Sequence, residues 1–437
     1  MKVLVLGGGP AGLTAAYILA QRGFLVTVLE KDSDVGGLAR TIKKDGFSFD
    51  LGGHRWYSES PRSDKFFKSV CGDSLLTVPR TTRIYFKGRF YNMPIKPLEV
   101  LRGVGLLPAL AVVLDFWFGR NKPIGTNYTL EEAYTKQFGH SLFKLFFDLY
   151  NQKVWGLKPS EMSGSWIGLR TKGLTLGSVI KGIFGKSSDT ESIDNFYYPK
   201  TGIGEFSQRL AVRVKERGGT VVLNAEITGF NLEGTKVKSV STSQGVFEAD
   251  FVISTLPLPF MVEKLSGQKL DLSYRDLVVA TLFIKREQVT TDSWVYTQEP
   301  ALAFSRFHEP KNWSKEMCPS GTTSLVCEFP CFAGDATWNT SDETLIKLAF
   351  DDFVNKMKLV NEGELLGGAV ARVSRAYPIY KLGYGKEVSK GLAILSEFTN
   401  LKQIGRQGMF CYGNMDQPIL SAITVAEDLI KSCEKTK

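Results

Sequence analysis

The sequence predicts an α/β fold, a Rossmann-like nucleotide-binding domain carrying α+β insertions. Three observations predict it. The chain opens on a short apolar run, "KVLVLG". A glycine-rich turn, "GGGPAG", follows at once. An Ala/Leu-rich stretch then leads into a second apolar run, "FLVTVLE", which ends on an acid.

Each element has a physical reason. A short run rich in Val and Leu is how a fully buried parallel strand reads. Gly7 permits the tight turn out of that strand. Gly9, lacking Cβ, lets a pyrophosphate approach the backbone, and Gly12 lets the next helix pack closely on the strand. "LTAAYILAQRG" forms that helix, stopped by Gly23, and Pro10 and Ala11 of the turn before it are further candidates to bind the cofactor. Its N-terminus offers unpaired N–H groups and a positive dipole end to phosphate. Glu30 ends the second strand, where a carboxylate can accept ribose hydroxyls, and Lys31 follows it. A lone G-x-G-x-x-G is a weak signal. Here the whole strand–turn–helix–strand–acid context stands within about 30 residues, as the motif demands.

The next stretch, "KDSDVGGLARTIKKDGFSFDLGGHRW", carries Gly36 and Gly37, then Leu38 and Arg40, then a strand running into Gly52, Gly53 and His54. This order of acid, GG-x-x-R segment and "D-x-G-x-H" strand resembles the flavin-dependent amine oxidase superfamily. Protoporphyrinogen oxidase, phytoene desaturase and UDP-galactopyranose mutase are members. The likeness continues in "YYPKTGIGEFSQRLAVRVKERGGTVVLNAEITGF" (197–230), in "FEADFVISTLPLP" with Thr255, and in "IGRQGMFCYGNMDQPILSAITVAEDLI" at the C-terminus. The last is most similar to the ending of the nucleotide-sugar mutases. The resemblance implies an FAD-binding domain of the glutathione-reductase/amine-oxidase type with a discontinuous substrate domain. It implies that Arg40 helps hold the pyrophosphate or flavin, and that Gly52 and Gly53 pass close to the isoalloxazine ring. Ile227 is implied near the adenine. The backbone of Gly413, Asn414, Met415 and Gln417 is implied at the pyrimidine edge, ahead of a helix from about Leu420.

The FAD-binding domain is expected to comprise residues 1–75, 197–265 and 385–437. A mainly helical insertion, 76–196, and a mixed sheet and helix substrate domain, 266–384, lie between. "RIYFKGRFYNMPI" alternates like a strand, and "LEEAYTKQFGHSLFKLFFDLYNQKVWG" reads as helix. "DETLIKLAFDDFVNKM" is a further helix with Ser341 or Thr340 as its N-cap. "GKSSDTESIDN" (185–195) reads as a loop. The uncharged stretch 103–114 is too short to span a bilayer. It reads either as a buried helix or as a peripheral membrane contact at a greasy substrate entrance.

Net charge is +9 and the pI about 9.0. Basic residues are scattered, and no Lys/Arg block reaches the length of a nucleic-acid arm, so nucleic acid is not an expected partner. Cys327-x-x-x-Cys331 lacks a second cysteine pair, and only three histidines exist, so no metal site is expected. Six irregularly spaced cysteines suggest a reduced, cytoplasmic protein, membrane-associated if the apolar segment docks.

Few side chains need be catalytic in a flavoenzyme, because the cofactor carries the hard chemistry. His54 is the first candidate, as a flavin-facing donor or proton shuttle. Arg406 is the second, since a guanidinium fits a phosphate bidentately. Arg55, Trp56, Arg83, Arg306, Tyr377 and Tyr380 are candidates to line the substrate site. The expected activity is hydride transfer from a small organic substrate, lipophilic or sugar-linked, to flavin N5. The alternative is a non-redox nucleotide-sugar mutase of the UDP-galactopyranose mutase type, and a third reading is a flavin carrier without catalysis. Oligomeric state does not follow from the sequence.

Overall fold

The opening strand, Lys2–Leu6, is buried at every position but the first. It can be so apolar because it lies inside a parallel sheet covered on both faces. Leu25–Leu29 pairs with it on one side and Phe251–Ser254 on the other, both parallel. Thr220–Val222 and Leu401–Gln403 complete five strands at the two edges. Segments far apart in sequence therefore build one sheet. The helix Pro10–Ala20 packs on it between Gly204–Glu216 and Asp416–Lys435. The computed structural model describes residues 1–93, 115, 125, 127–170 and 195–435.

A second sheet has seven strands, in the order Leu365–Pro378, Tyr274–Ile284, Thr323–Cys331, Arg306–His308, Trp294–Thr297, Thr82–Phe86, Arg89–Asn92. Its pairs are antiparallel except Trp294–Thr297 with Thr82–Phe86, which is parallel. The part "RIYFKGRFYN" (83–92) is thus a hairpin, not one strand, and Pro94 and Ile95 lie outside the described residues. Lys87 and Gly88 both take positive φ, the two-residue turn that matches strand twist. Through this hairpin the first insertion shares its sheet with the second.

The helical text 130–155 is broken at Gly139, whose φ of +86° no helix holds. Its first part, Leu130–Phe138, begins on a Thr129–Glu132 capping box. Ser341, not Thr340, caps Asp342–Asp351, accepting the N–H of Thr344. The last helix starts at Asp416, not near Leu420. Pro418 reads as a breaker in the sequence, yet in a first turn its missing N–H costs nothing.

One buried acid joins the layers. Asp50 accepts the hydroxyls of Thr41 and Tyr198, both at 2.6 Å, and the N–H of Ile203 at 3.3 Å. Thr41 in turn accepts the N–H of Gly204. A Cβ at Gly204 would lie 2.6 Å from the Thr41 nitrogen, so only glycine fits this approach.

Among the described residues no helix is long and apolar enough to cross a membrane. The expectations for 103–114 fall outside those residues, as do those for 185–195 apart from Asn195.

Candidate functional site

The nucleotide end is set by three glycines with different duties. Gly7 has φ +106°, and a Cβ there would strike the Thr255 hydroxyl. A Cβ at Gly12 would strike the Gly7 carbonyl oxygen. At Gly9 the nearest atom to an added Cβ is Gly37 Cα, 4.0 Å away, so the backbone there borders open space. Gly7 and Gly12 are demanded by packing, and Gly9 is not. Pro10 is the first helical residue, and Ala11 is buried against Gly405 from the C-terminal segment. Thr255 also touches Gly405, and its hydroxyl donates to the Leu6 carbonyl.

Glu30 is buried, and its two oxygens accept backbone N–H groups: Gly8 at 2.6 Å and Asp32 at 3.0 Å. It therefore shapes the turn as well as presenting an acceptor. Each oxygen keeps a second lone pair, which is what a ribose hydroxyl needs. Burial raises its pKa, and the two N–H groups oppose the shift. Gly36 and Gly37, both at positive φ, fold over the first turn, with Gly36 N–H on the Gly8 carbonyl. Leu38 is partly buried, Lys31 is exposed, and Arg40 pairs with Asp32 at 3.2 Å. Ile227 starts its strand, half-buried, two residues past Ala225, whose N–H bonds the Glu30 carbonyl.

The other end is organised by a residue the sequence reading missed. Glu328 is buried in the Thr323–Cys331 strand and accepts the Gly53 N–H at 3.0 Å. The same carboxylate is gripped bidentately by its cross-strand neighbour Arg306, at 2.9 and 2.6 Å. Gly52 at φ +99° and Gly53 let this pair come close; a Cβ at Gly53 would sit 3.7 Å from the Arg306 guanidinium carbon. An acid in the middle of the apolar run "TSLVCEFPCF" was the available signal.

His54 follows, half-buried, with Nδ1 3.3 Å from the Gly52 carbonyl. Burial, then the Arg406 and Arg306 charges, hold its pKa well below the usual value, although the Gly52 carbonyl pulls upward. The imidazole is neutral. Arg406 donates to the carbonyls of Gly413 at 2.6 Å and Ala376 at 3.3 Å. It stands 5.5 Å from the Tyr412 ring and 5.9 Å from the Tyr377 ring, and those rings stack. Asn414 and Gln417 are exposed at the start of the last helix, and Met415 is buried.

Three expected substrate contacts are corrected. Trp56 is fully buried, stacked on Phe67 at 3.9 Å, with its N–H on Asp64. Tyr380 is buried against Tyr384, and its oxygen accepts the Tyr412 N–H, so it braces the chain behind the site. Arg83 alternates with Thr82 and Ile84 and so lies on the opposite face of the sheet, paired bidentately with buried Asp292. Arg55 stays near the site, its guanidinium 5.2 Å from the Trp294 ring.

The open space at Gly9, the acceptor at Glu30 and the glycine approach at Gly52–Gly53 suit the two ends of a flavin dinucleotide. Comparison with known proteins agrees. The chain matches 4,4'-diapophytoene desaturase (4,4'-diaponeurosporene-forming) of Staphylococcus aureus (strain COL) at 50% identity over 52 residues. That is 12% of this chain, and the match spans about a tenth (10%) of the desaturase. Among solved structures, reduced UDP-galactopyranose mutase has a TM-score of 0.84 at 22% identity, covering 98% of this chain and 95% of that one. A candidate protoporphyrinogen oxidase from Exiguobacterium sp. 255-15 has 0.77 at 18%, covering 98% of each chain. At these identities the likeness is one of fold. A family model described as flavin containing amine oxidoreductase matches residues 10–272, more than half the chain. The chain therefore belongs to the flavin-containing amine oxidoreductases, with FAD as its cofactor.

Proposed function

We propose that this chain is an FAD-dependent oxidoreductase whose small-molecule substrate carries an anionic group beside its reacting carbon. The observation that supports it is the meeting of Arg306 and Arg406 on one neutral imidazole, His54. Bound FAD supplies the two-electron chemistry; the chain supplies position and charge. Gly52 and Gly53 give the backbone its close approach. Arg306 is held by Glu328 and Arg406 by the Ala376 and Gly413 carbonyls, so what they offer an anion in this partly dry place is their second N–H groups and their charge. Their charge also keeps a proton off His54. A substrate anion would offset that charge and raise the basicity of His54, so the residue becomes a proton acceptor only when substrate is present. The test is anaerobic bleaching of the bound flavin by a panel of anionic and neutral C–H donors, with wild type, Arg306→Gln and Arg406→Gln. Bleaching by anionic donors alone, slowed at least about tenfold in both variants, supports the proposal. Equal rates with neutral donors sink it.

The anion-holding pair also suits a second reading, a nucleotide-sugar mutase that uses reduced FAD without net redox change. The fold likeness to UDP-galactopyranose mutase supports it. Reduced protein given a UDP-hexopyranose would then form the furanose isomer with no acceptor consumed.

A further inference from the structure

Two neighbouring strands of the seven-stranded sheet fall out of step behind Arg406. Leu277 pairs with Val373 and Arg275 pairs with Tyr377. Between those pairs the strand Tyr274–Ile284 has one residue, Asp276, while Leu365–Pro378 has three, Ser374, Arg375 and Ala376. The extra length must bulge, and a bulge re-aims what its strand carries. The middle residue, Arg375, takes φ +55°, a region that suits glycine and not arginine. One side chain holds it there. Buried Asp276 accepts the Arg375 N–H and the Ala333 N–H, one on each oxygen, both at 2.7 Å.

The bulge presents two consecutive carbonyls to the C-terminal segment. That of Arg375 accepts the Gln407 side-chain amide at 2.9 Å, and that of Ala376 accepts the Arg406 guanidinium at 3.3 Å. Tyr274, two residues before Asp276, donates its hydroxyl to the Gln407 carbonyl at 3.0 Å. Arg406 is therefore strung between the carbonyls of Ala376 and Gly413. The direction of the first carbonyl depends on the backbone of Arg375, and that backbone depends on Asp276. Among the described residues no hydrogen bond or ion pair joins Asp276 to Arg406 directly, so its reach is through the main chain.

We propose that Asp276 is a positioning residue for Arg406, acting through the left-handed backbone of Arg375 and the carbonyl of Ala376. The proposal rests on the anionic-substrate reading above, in which Arg406 is one of two cations that meet the substrate anion. Two consequences separate it from a merely structural role. Removing an acid behind a cationic site should by charge alone tighten an anion, whereas lost positioning weakens it. Glycine holds positive φ unaided, so Arg375→Gly should make the Asp276 carboxylate dispensable.

The test uses the full chain loaded with FAD, with inorganic pyrophosphate as the probe and calorimetric Kd as the readout. Asp276→Ala should weaken binding at least about fivefold, and Asp276→Ala with Arg375→Gly, which has the net charge of wild type, should return within about twofold of it. Added to Arg406→Gln, Asp276→Ala should cause no further loss, because two residues acting through one contact are not additive. Flavin retention checks that each variant is folded; if Asp276→Ala loses flavin, Asp276→Asn, which keeps one acceptor, replaces it in the same comparisons. Wild-type or tighter binding in Asp276→Ala, with loss in Arg406→Gln, overturns the positioning role and leaves the first reading intact. A loss that Arg375→Gly does not recover overturns it as well. Wild-type affinity in Arg406→Gln overturns the first reading instead, and the crystal structure of Asp276→Ala then decides the positioning role alone. An Arg406 guanidinium moved off the Ala376 carbonyl upholds that role, and one still seated on both carbonyls overturns it.

Discussion

Glu328 holds the N–H of Gly53 at 3.0 Å, although 275 positions separate them in the chain. One carboxylate thus ties the seven-stranded sheet to the glycine segment beside His54. It does so while carrying Arg306 on the same oxygen. Removing it strands a buried guanidinium and a backbone donor together. Breaking one partner of a buried pair costs about 3–5 kcal/mol. Glu328→Ala should lose stability of that order in urea titration and bind FAD weakly. Glu328→Gln, which keeps one acceptor, should lose less. A Glu328→Ala protein with unchanged midpoint and flavin content would show that the contact is idle.

The glycines of the first turn should separate folding from binding. Gly9 has φ −78°, which alanine adopts freely, and open space beside it. Gly9→Ala should melt within about 2 °C of wild-type apoprotein yet bind FAD at least about tenfold more weakly, which is about 1.4 kcal/mol. In Gly12→Ala the new methyl group meets the Gly7 carbonyl, and the helix must lift off the strand. Overpacking of this kind costs about 1–3 kcal/mol or more. Apoprotein melts and flavin titrations of the two variants check both halves. Equal stability losses in both would refute the division of duties.

These glycines were legible in the sequence because a tight turn leaves little choice of residue. The strand, turn, helix and acid of residues 2–30 are all local, and local patterns survive in one dimension. Glu328 was not legible, because its partners Gly53 and Arg306 reach it only through the fold. Trp56, Arg83 and Tyr380 were misread for a related reason. Aromatic and arginine side chains serve a core, a pair or a ligand equally well, and only register decides which. Arg83 sits one residue from Thr82, and that single step puts it on the far face of its sheet.

Tyr380 and Tyr377 are three residues apart and should behave differently. The Tyr380 oxygen is the acceptor for the Tyr412 N–H at 2.7 Å. Tyr380→Phe leaves that buried donor unpaired, at about 1–3 kcal/mol. Tyr377 stacks on Tyr412 under Arg406. Tyr377→Ala should spare most of the stability and lower pyrophosphate affinity several-fold, because the guanidinium loses its aromatic support. Chemical denaturation and calorimetry on the two variants give the comparison. The reverse pattern would exchange the roles assigned to them.

Asp50 should make the protein less stable as pH rises from acid toward neutral. Burial pushes its carboxyl up to about 7, although the Thr41 and Tyr198 hydroxyls pull it down. In the unfolded chain it titrates near 3.9. Between about pH 4 and pH 7 the folded state therefore keeps a proton that the unfolded state gives up, and stability falls through that window as pH increases. Asp50→Asn cannot titrate. Its carbonyl can still accept the Thr41 hydroxyl, and its amide can donate to the Tyr198 oxygen once that hydroxyl turns. Wild type should thus lose ground to Asp50→Asn in melting experiments between pH 4.5 and pH 7.5, with the difference levelling off below pH 4. Parallel curves for the two proteins would mean that the proton on Asp50 does not distinguish the folded state from the unfolded one.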